Sequence, residues 1–357
     1  MYDSTVFVIG AGASNEAGLP LASGLVEKIS QKLAFRVERG HLQSDSGDRE
    51  ILDAFNIIRP PHGDINYLLK AAAQVREGAP YANSIDTFMD NHVENGEIQT
   101  CAKLAIVKSI VEAETASTLY SDRNNRQFRD ERAIRSSWYG VLFAHLSDGV
   151  RREEIGRIFE RVRFIVFNYD RCLEHFLFNA LQIHYGIDRR TAVDVMATLD
   201  VVHPYGVIAP LRWQDDREGI DFGESVSGID LQAMSRRIKT FTEQFDTGSE
   251  LSRIRNAIVT GTTLVFLGFS YHRMNMQLLQ PEDRCATRRV FGSTHGLSED
   301  KVRNVRESIG RLLGRGSLDA ETDDIGGQSF DETHLVPLKC SELLYDYAMS
   351  LFIAGRR

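Results

Sequence analysis

The sequence predicts an α/β protein built on a doubly wound parallel sheet, and three observations predict it. Short apolar runs of strand length, rich in β-branched residues, recur along the chain, as expected of strands buried on both faces. Helical patterns fill the intervals, and alternation of the two marks parallel βαβ units. Each run ends in glycine or hydrogen-bonding residues, at the carboxyl edge where open α/β sheets bind ligands.

The first strand is Thr5–Ile9, which stops at Gly10-Ala11-Gly12-Ala13-Ser14 and leads into a helix through Leu25–Ile29. The interval from about 35 to 160 reads as a mostly helical insertion within a single domain spanning 1–357. Inside it, Lys103–Val111 carries apolar residues at 104, 107, 110 and 111, and Trp138–Leu146 is also helical in pattern. Arg163–Phe167 is a second strand and runs into Asn168-Tyr169-Asp170. Leu199–Val202 runs into His203, Thr262–Leu267 into Gly268-Phe269-Ser270, and Arg289–Phe291 into Gly292-Ser293-Thr294. Ser341–Phe352 reads as a closing helix, and the acidic stretches Gln214–Asp230 and Asp319–Glu332 read as exposed loops. Together these elements give a Rossmann-like doubly wound parallel sheet with a large helical insertion.

Composition narrows the function. The 357 residues carry 42 Lys+Arg against 50 Asp+Glu, a net charge of −8 that argues against holding duplex DNA by phosphate neutralisation. Direct nucleic-acid binding is therefore not expected, and the Arg-rich stretches Arg123–Arg135 and Arg151–Arg163, interleaved with acids, read as solvated faces. No apolar run approaches the roughly 18–20 residues of a membrane span. The N-terminus lacks a basic leader region, so Val6–Ile9 reads as a strand rather than a signal peptide, and a cytoplasmic protein is expected. Cys101, Cys172, Cys285 and Cys340 are isolated, which excludes a structural zinc ribbon and gives no sign of a disulfide framework. No metal is expected.

Four strand ends can carry chemistry. Glycines at 10 and 12 let the backbone turn tightly and approach a diphosphate, but a plain strand–helix turn needs them equally. Asn15 stands where a dehydrogenase fingerprint needs its third glycine, and Glu27 lies inside a helix rather than at a second strand end. No Gly-Lys-Ser/Thr follows, so the phosphate loop of nucleotide triphosphatases is absent too. Asn168 and Asp170 can face sugar hydroxyls or a water, or can cap the helix that carries Leu173, Phe176 and Leu177. His203, followed by Pro204, can serve as a base near neutral pH or as a structural histidine. Gly268–Asn275 is a further strand end rich in hydrogen-bonding groups.

Taken in order, these segments resemble the sirtuin-like NAD-binding family, and its divergent prokaryotic branch more closely than the protein deacylases. The resemblance rests on Gly10–Ser14 with Gly18-Leu19-Pro20, Ser84-Ile85-Asp86-Thr87-Phe88, Phe167–Asp170, His203 with Gly206, and Val265–Ser270. Two departures separate the chain from the deacylases: Leu21-Ala22-Ser23 stands where they carry Asp-Phe-Arg, and their four-cysteine zinc module is missing. The divergent branch is associated with NAD⁺ hydrolysis in bacterial antiphage defence by NAD depletion.

The resemblance implies hydrolysis of the nicotinamide–ribose bond of NAD⁺, with NAD⁺ as substrate. Asn168 would hold the ribose or orient the attacking water, His203 would act as base, and Asp170 would fix the network around them. Gly10, Ala11, Gly12 and Ser14 would cradle the diphosphate. Gly268 and Ser270, with help from Asn275, would contact the adenosine half, while Asp86 would support or cap a helix. A homo-oligomer is expected, with a HerA-like ATPase or an Argonaute-type protein as partner. The alternatives are a non-catalytic sensor of NAD⁺ or ADP-ribose, a scaffold, and a transferase moving ADP-ribose or an acyl group.

Overall fold

The structure, a computed structural model, describes residues 4–39, 41–43, 46–60, 63–121, 127–246, 248–314 and 332–353. Its described strands are β1 (Thr5–Ile9), a short antiparallel hairpin of β2 (Val37–Glu38) and β3 (His41–Leu42), β4 (Val162–Val166), β5 (Asp200–Val202), β6 (Thr263–Leu267), β7 (Arg289–Ser293) and β8 (Glu332–Val336). All but the hairpin form one parallel sheet in the order β5-β4-β1-β6-β7-β8. The chain thus winds outward from β1 in one direction and then, from β6, in the other. Its turning point lies between β1 and β6, where doubly wound sheets open a ligand crevice.

Alternation along each strand supplies two cores. Val6, Val8, Ile165, Leu264, Phe266 and Val290 face the helices Ala22–Lys32, Arg49–Ile58, Asn66–Gly78 and Gly96–Ala116. Phe7, Ile9, Phe164, Val166, Val265 and Phe291 face the helices Trp138–Ser147, Cys172–Tyr185, Arg189–Met196 and Cys340–Asp346. Phe7 stacks on Phe164 with ring centres 5.2 Å apart. The described residues of the interval 35–160 are mostly helical and are shared between the layers, the earlier helices on the first face and Trp138–Ser147 on the second.

Three elements differ from the sequence reading. β8 lies at the sheet edge, and its polar Thr333 and His334 remove the apolar run that marks the other strands. The predicted loop Asp319–Glu332 lies outside the described residues up to 331, and Glu332 opens β8. The stretch Gln214–Asp230 is not wholly exposed: Phe222 and Val226 are buried, and its last residues start the helix Gly228–Ser235. Ser227 and Asp230 form a capping box there, a Ser-x-x-Asp spacing the sequence displays. Finally, the closing helix ends at Asp346, and Met349–Ile353 form a separate, wider turn.

Glu16 joins three distant parts of the chain. Its carboxylate accepts from the Trp138 N–H at 2.9 Å and the Ser341 N–H at 3.0 Å, each in the first turn of a helix that lacks internal partners for such groups. Glu16→Ala is expected to lower unfolding free energy by about 1–3 kcal/mol, because both N–H groups lose their acceptor. Urea denaturation measures this, and Glu16→Gln should recover part of the loss.

Candidate functional site

The loop after β1 and the loop after β6 meet at the turning point of the sheet. The Gly12 N–H donates to the Gly268 carbonyl at 3.0 Å, and the Ala13 N–H to the Gly10 carbonyl at 3.0 Å. Gly268 has φ +56°, and a Cβ there would lie 2.6 Å from Gly12 Cα. A Cβ on Gly12 would lie 2.8 Å from Gly268 Cα, so glycine is required where these backbones touch. Of the four loop residues expected to cradle a diphosphate, Ala11 and Ser14 line a cavity, whereas Gly10 and Gly12 pack one loop on the other. The Gly12 N–H is already taken by protein.

The cavity, of about 80 Å³, lies at the carboxyl edge of β1 and β4. Its wall comes from residues between Ala11 and Leu25, from Ser84 to Asp86 and from Phe167 to Asp170, with Ile110 added, and most of that lining is apolar. The Asn168 side-chain amide donates to the Gly10 carbonyl at 3.0 Å and to Ser14 Oγ at 2.7 Å, fixing the β1 loop from the end of β4. Asp170 accepts from the Cys172 N–H at 3.1 Å and so ties the loop after β4 to the first residue of the helix Cys172–Tyr185. Burial pushes the Asp170 carboxyl above the usual carboxylate range, against the pull of the Ser14 hydroxyl and the Cys172 N–H. Ser84 caps the helix Ile85–Asp90, which leaves Asp86 free of that task. Asp86 instead accepts from the Tyr169 hydroxyl on the cavity wall. Burial raises its carboxyl too, opposed by Tyr169, by its own N–H and by the nearby His272.

His203 stands behind Asn168 rather than on the cavity wall. Its Nδ1 lies 3.1 Å from the Asn168 carbonyl and its Nε2 lies 2.7 Å from Glu174 Oε1. Burial alone would lower the ring's pKa, but Glu174, the Asn168 carbonyl and Asp170 outweigh it and hold the ring above its ordinary value. Burial works on Glu174 in the opposite sense, and the ring's charge, the residue's own N–H and Arg171 carry its carboxyl below the usual value. Sequence reasoning missed Glu174, because a pair 29 residues apart has no periodic signature.

On the other side of the turning point, Ser270 is exposed and Asn275 half-buried, its Oδ1 accepting from the Tyr205 hydroxyl at 2.7 Å. Tyr205 packs against Phe167, and Phe167 against Phe269, so one aromatic cluster underlies the ends of both β4 and β6. Arg171 and Glu114 anchor the site from below as a fully buried pair, at 3.0 Å and 2.5 Å. Among the described residues no cluster of three or more His, Cys, Asp or Glu is disposed to hold a metal, and no helix is long and apolar enough to cross a membrane.

His175, next to Glu174, is in the opposite state from His203. Its Nε2 donates to the Leu119 carbonyl at 3.0 Å, its ring stacks on Phe222, and burial, with Arg171 nearby, pushes it down to about 3. The unfolded chain takes up this proton near pH 6.5 while the folded chain does not, so stability is full above that pH and falls below it. Between about pH 6.5 and about 3 this group should cost up to roughly 1.4 kcal/mol per pH unit. Urea denaturation at pH 7 and pH 5 measures it, and His175→Gln should show a shallower loss.

The strand order, with a cavity at the carboxyl edge of β1 and β4, defines a Rossmann-like α/β protein. No protein-family model and no curated protein matches the chain.

Proposed function

We propose that this protein hydrolyses NAD⁺ to nicotinamide and ADP-ribose. The observation that carries the reading is that Ser14, Asp86, Asn168 and Asp170, from three separate stretches of the chain, converge on one cavity at the carboxyl edge of β1 and β4. Those stretches belong to three of the five blocks on which the likeness to the sirtuin-like family rests; His203 with Gly206 and Val265–Ser270 lie outside the cavity wall.

The chemistry suits what lines the cavity. Nicotinamide leaves as a neutral molecule from a cationic glycoside, so no acid is needed to expel it. The C1′–N bond breaks with its electron pair going to nicotinamide, and the ribose becomes an electron-poor oxocarbenium, as in glycoside hydrolysis. A water oxygen then bonds to C1′, and its proton passes to a cavity carboxylate, Asp170 or Asp86, and on to solvent. The same carboxylates offset the positive charge of the oxocarbenium. Asn168 holds the ribose. At about 80 Å³ the cavity takes only one end of a dinucleotide, since whole ligand sites run to roughly 300–1,000 Å³. The adenosine end is assigned to the open side of the crevice, along Gly268, Ser270 and Asn275.

The biological role that goes with this chemistry is NAD⁺ depletion in an infected bacterial cell, by an oligomer under the control of a HerA-like ATPase or an Argonaute-type partner. Chromatography of NAD⁺ incubated with the purified protein tests the reaction. Equimolar nicotinamide and ADP-ribose support it. Bound but intact NAD⁺ would indicate a sensor, and ADP-ribose attached to protein would indicate a transferase.

A further inference from the structure

We infer that Glu174 and His203 form a positioning pair that clamps the backbone of Asn168, and that His203 does not serve the cavity as a base. This deepens the reading of the site as an NAD⁺ hydrolase and rests on it for its effect on activity. The geometry of the ring does not depend on that reading.

Both ring nitrogens face acceptors, the Asn168 carbonyl at 3.1 Å and the Glu174 carboxylate at 2.7 Å. A neutral imidazole carries one N–H and satisfies only one of them, whereas an imidazolium satisfies both. No lone pair is then left to take a proton. The ring also lies outside the cavity wall, with Asn168 between it and the space where a substrate would sit. Glu174 is 5 % exposed and sits in the first turn of the helix Cys172–Tyr185, where a negative charge is favoured. Its second oxygen, Oε2, has no hydrogen-bond partner among the described residues, so His203 is its principal counterion. The other charged groups around the pair are Asp170, from the loop after β4, and Arg171, which is itself neutralised by Glu114 of the helix Gly96–Ala116.

The clamp is transmitted. The ring holds the Asn168 carbonyl, and the Asn168 amide in turn reaches the Gly10 carbonyl and Ser14 Oγ. Losing the ring's charge therefore loosens the wall that Asn168 forms. A clamp and a base predict opposite pH behaviour: the clamp works while the ring is protonated and fails as pH rises through its pKa, whereas a base starts to work there.

The test is nitrogen-15 NMR of the histidine-labelled full chain, with the His203 signal assigned by its loss in His203→Gln. The expected result at pH 7 is a ring with both nitrogens protonated, titrating above the ordinary value of about 6.5. A ring with one bare nitrogen, titrating at or below that value, overturns the inference. In Glu174→Gln the His203 pKa should fall by about one unit or more, a tenfold change in the protonation ratio. Nicotinamide release by this variant should be about tenfold down at pH 8 and recover at pH 6. Wild-type release that rises through the His203 pKa would also overturn the clamp. Should Glu174→Gln fail to fold, the wild-type titration still decides. A wild type with an imidazolium His203 and no nicotinamide release would sink the proposed reaction but leave the clamp standing.

Discussion

Asn168→Ala is expected to reduce nicotinamide release by about 10²–10³-fold or more while leaving the protein folded. The size follows from the loss of a preorganised hydrogen-bonding group at the reacting centre. Survival of the fold follows from what remains. The Gly10 carbonyl keeps the Ala13 N–H, and Ser14 keeps Asp170 beside it. The loss of two buried bonds should cost about 1–3 kcal/mol, well short of the 5–15 kcal/mol that holds a domain together. Asn168→Asp should be the worse replacement, since it would point a carboxylate at the Gly10 carbonyl. Circular dichroism with a product assay on the same preparation separates the two effects.

The largest effect on stability is expected from Arg171→Met. Arg171 is 1 % exposed; its guanidinium meets Glu114 through Nε and Nη2 and donates to the Ile220 carbonyl at 2.6 Å and the Asp221 carbonyl at 3.2 Å. Removing it leaves a fully buried carboxylate whose remaining partner among the described residues is the Gly223 N–H at 3.1 Å. Breaking such a pair from one side should cost about 3–5 kcal/mol, a large part of a domain's total. The double variant Arg171→Met/Glu114→Leu should be less damaging than Arg171→Met alone, because it removes the stranded charge. A double-mutant cycle in urea gives the coupling directly.

Much of the frame was legible in the sequence because burial on both faces writes itself into composition. Thr5–Ile9 and Thr263–Leu267 read as strands because every position had to be apolar or β-branched. The edge strand Glu332–Val336 escaped because, among the described residues, one side of it is unpaired and its side chains need not be apolar. The candidate site was legible in part for the same reason: Asn168, Asp170 and Ser14 follow buried strands at the one edge where ligands bind, and the fold brings them together. The partners that set their charge were not. Glu174 meets His203, and Arg171 meets Glu114, across 29 and 57 residues, and these pairings exist only once the helices have packed. Gly10 and Gly12 carry a different lesson. A glycine needed for two backbones to touch looks in sequence like a glycine needed for a phosphate.

Cleavage of NAD⁺ is assigned to the cavity between Ser14, Asp86 and Asn168. Its most direct test is timed incubation of NAD⁺ with the purified wild type and with Asn168→Ala, each with free nicotinamide and ADP-ribose quantified. Both products are expected in equal amounts from the wild type and almost none from the variant. Equal rates from the two proteins, or intact NAD⁺ in both, would contradict it.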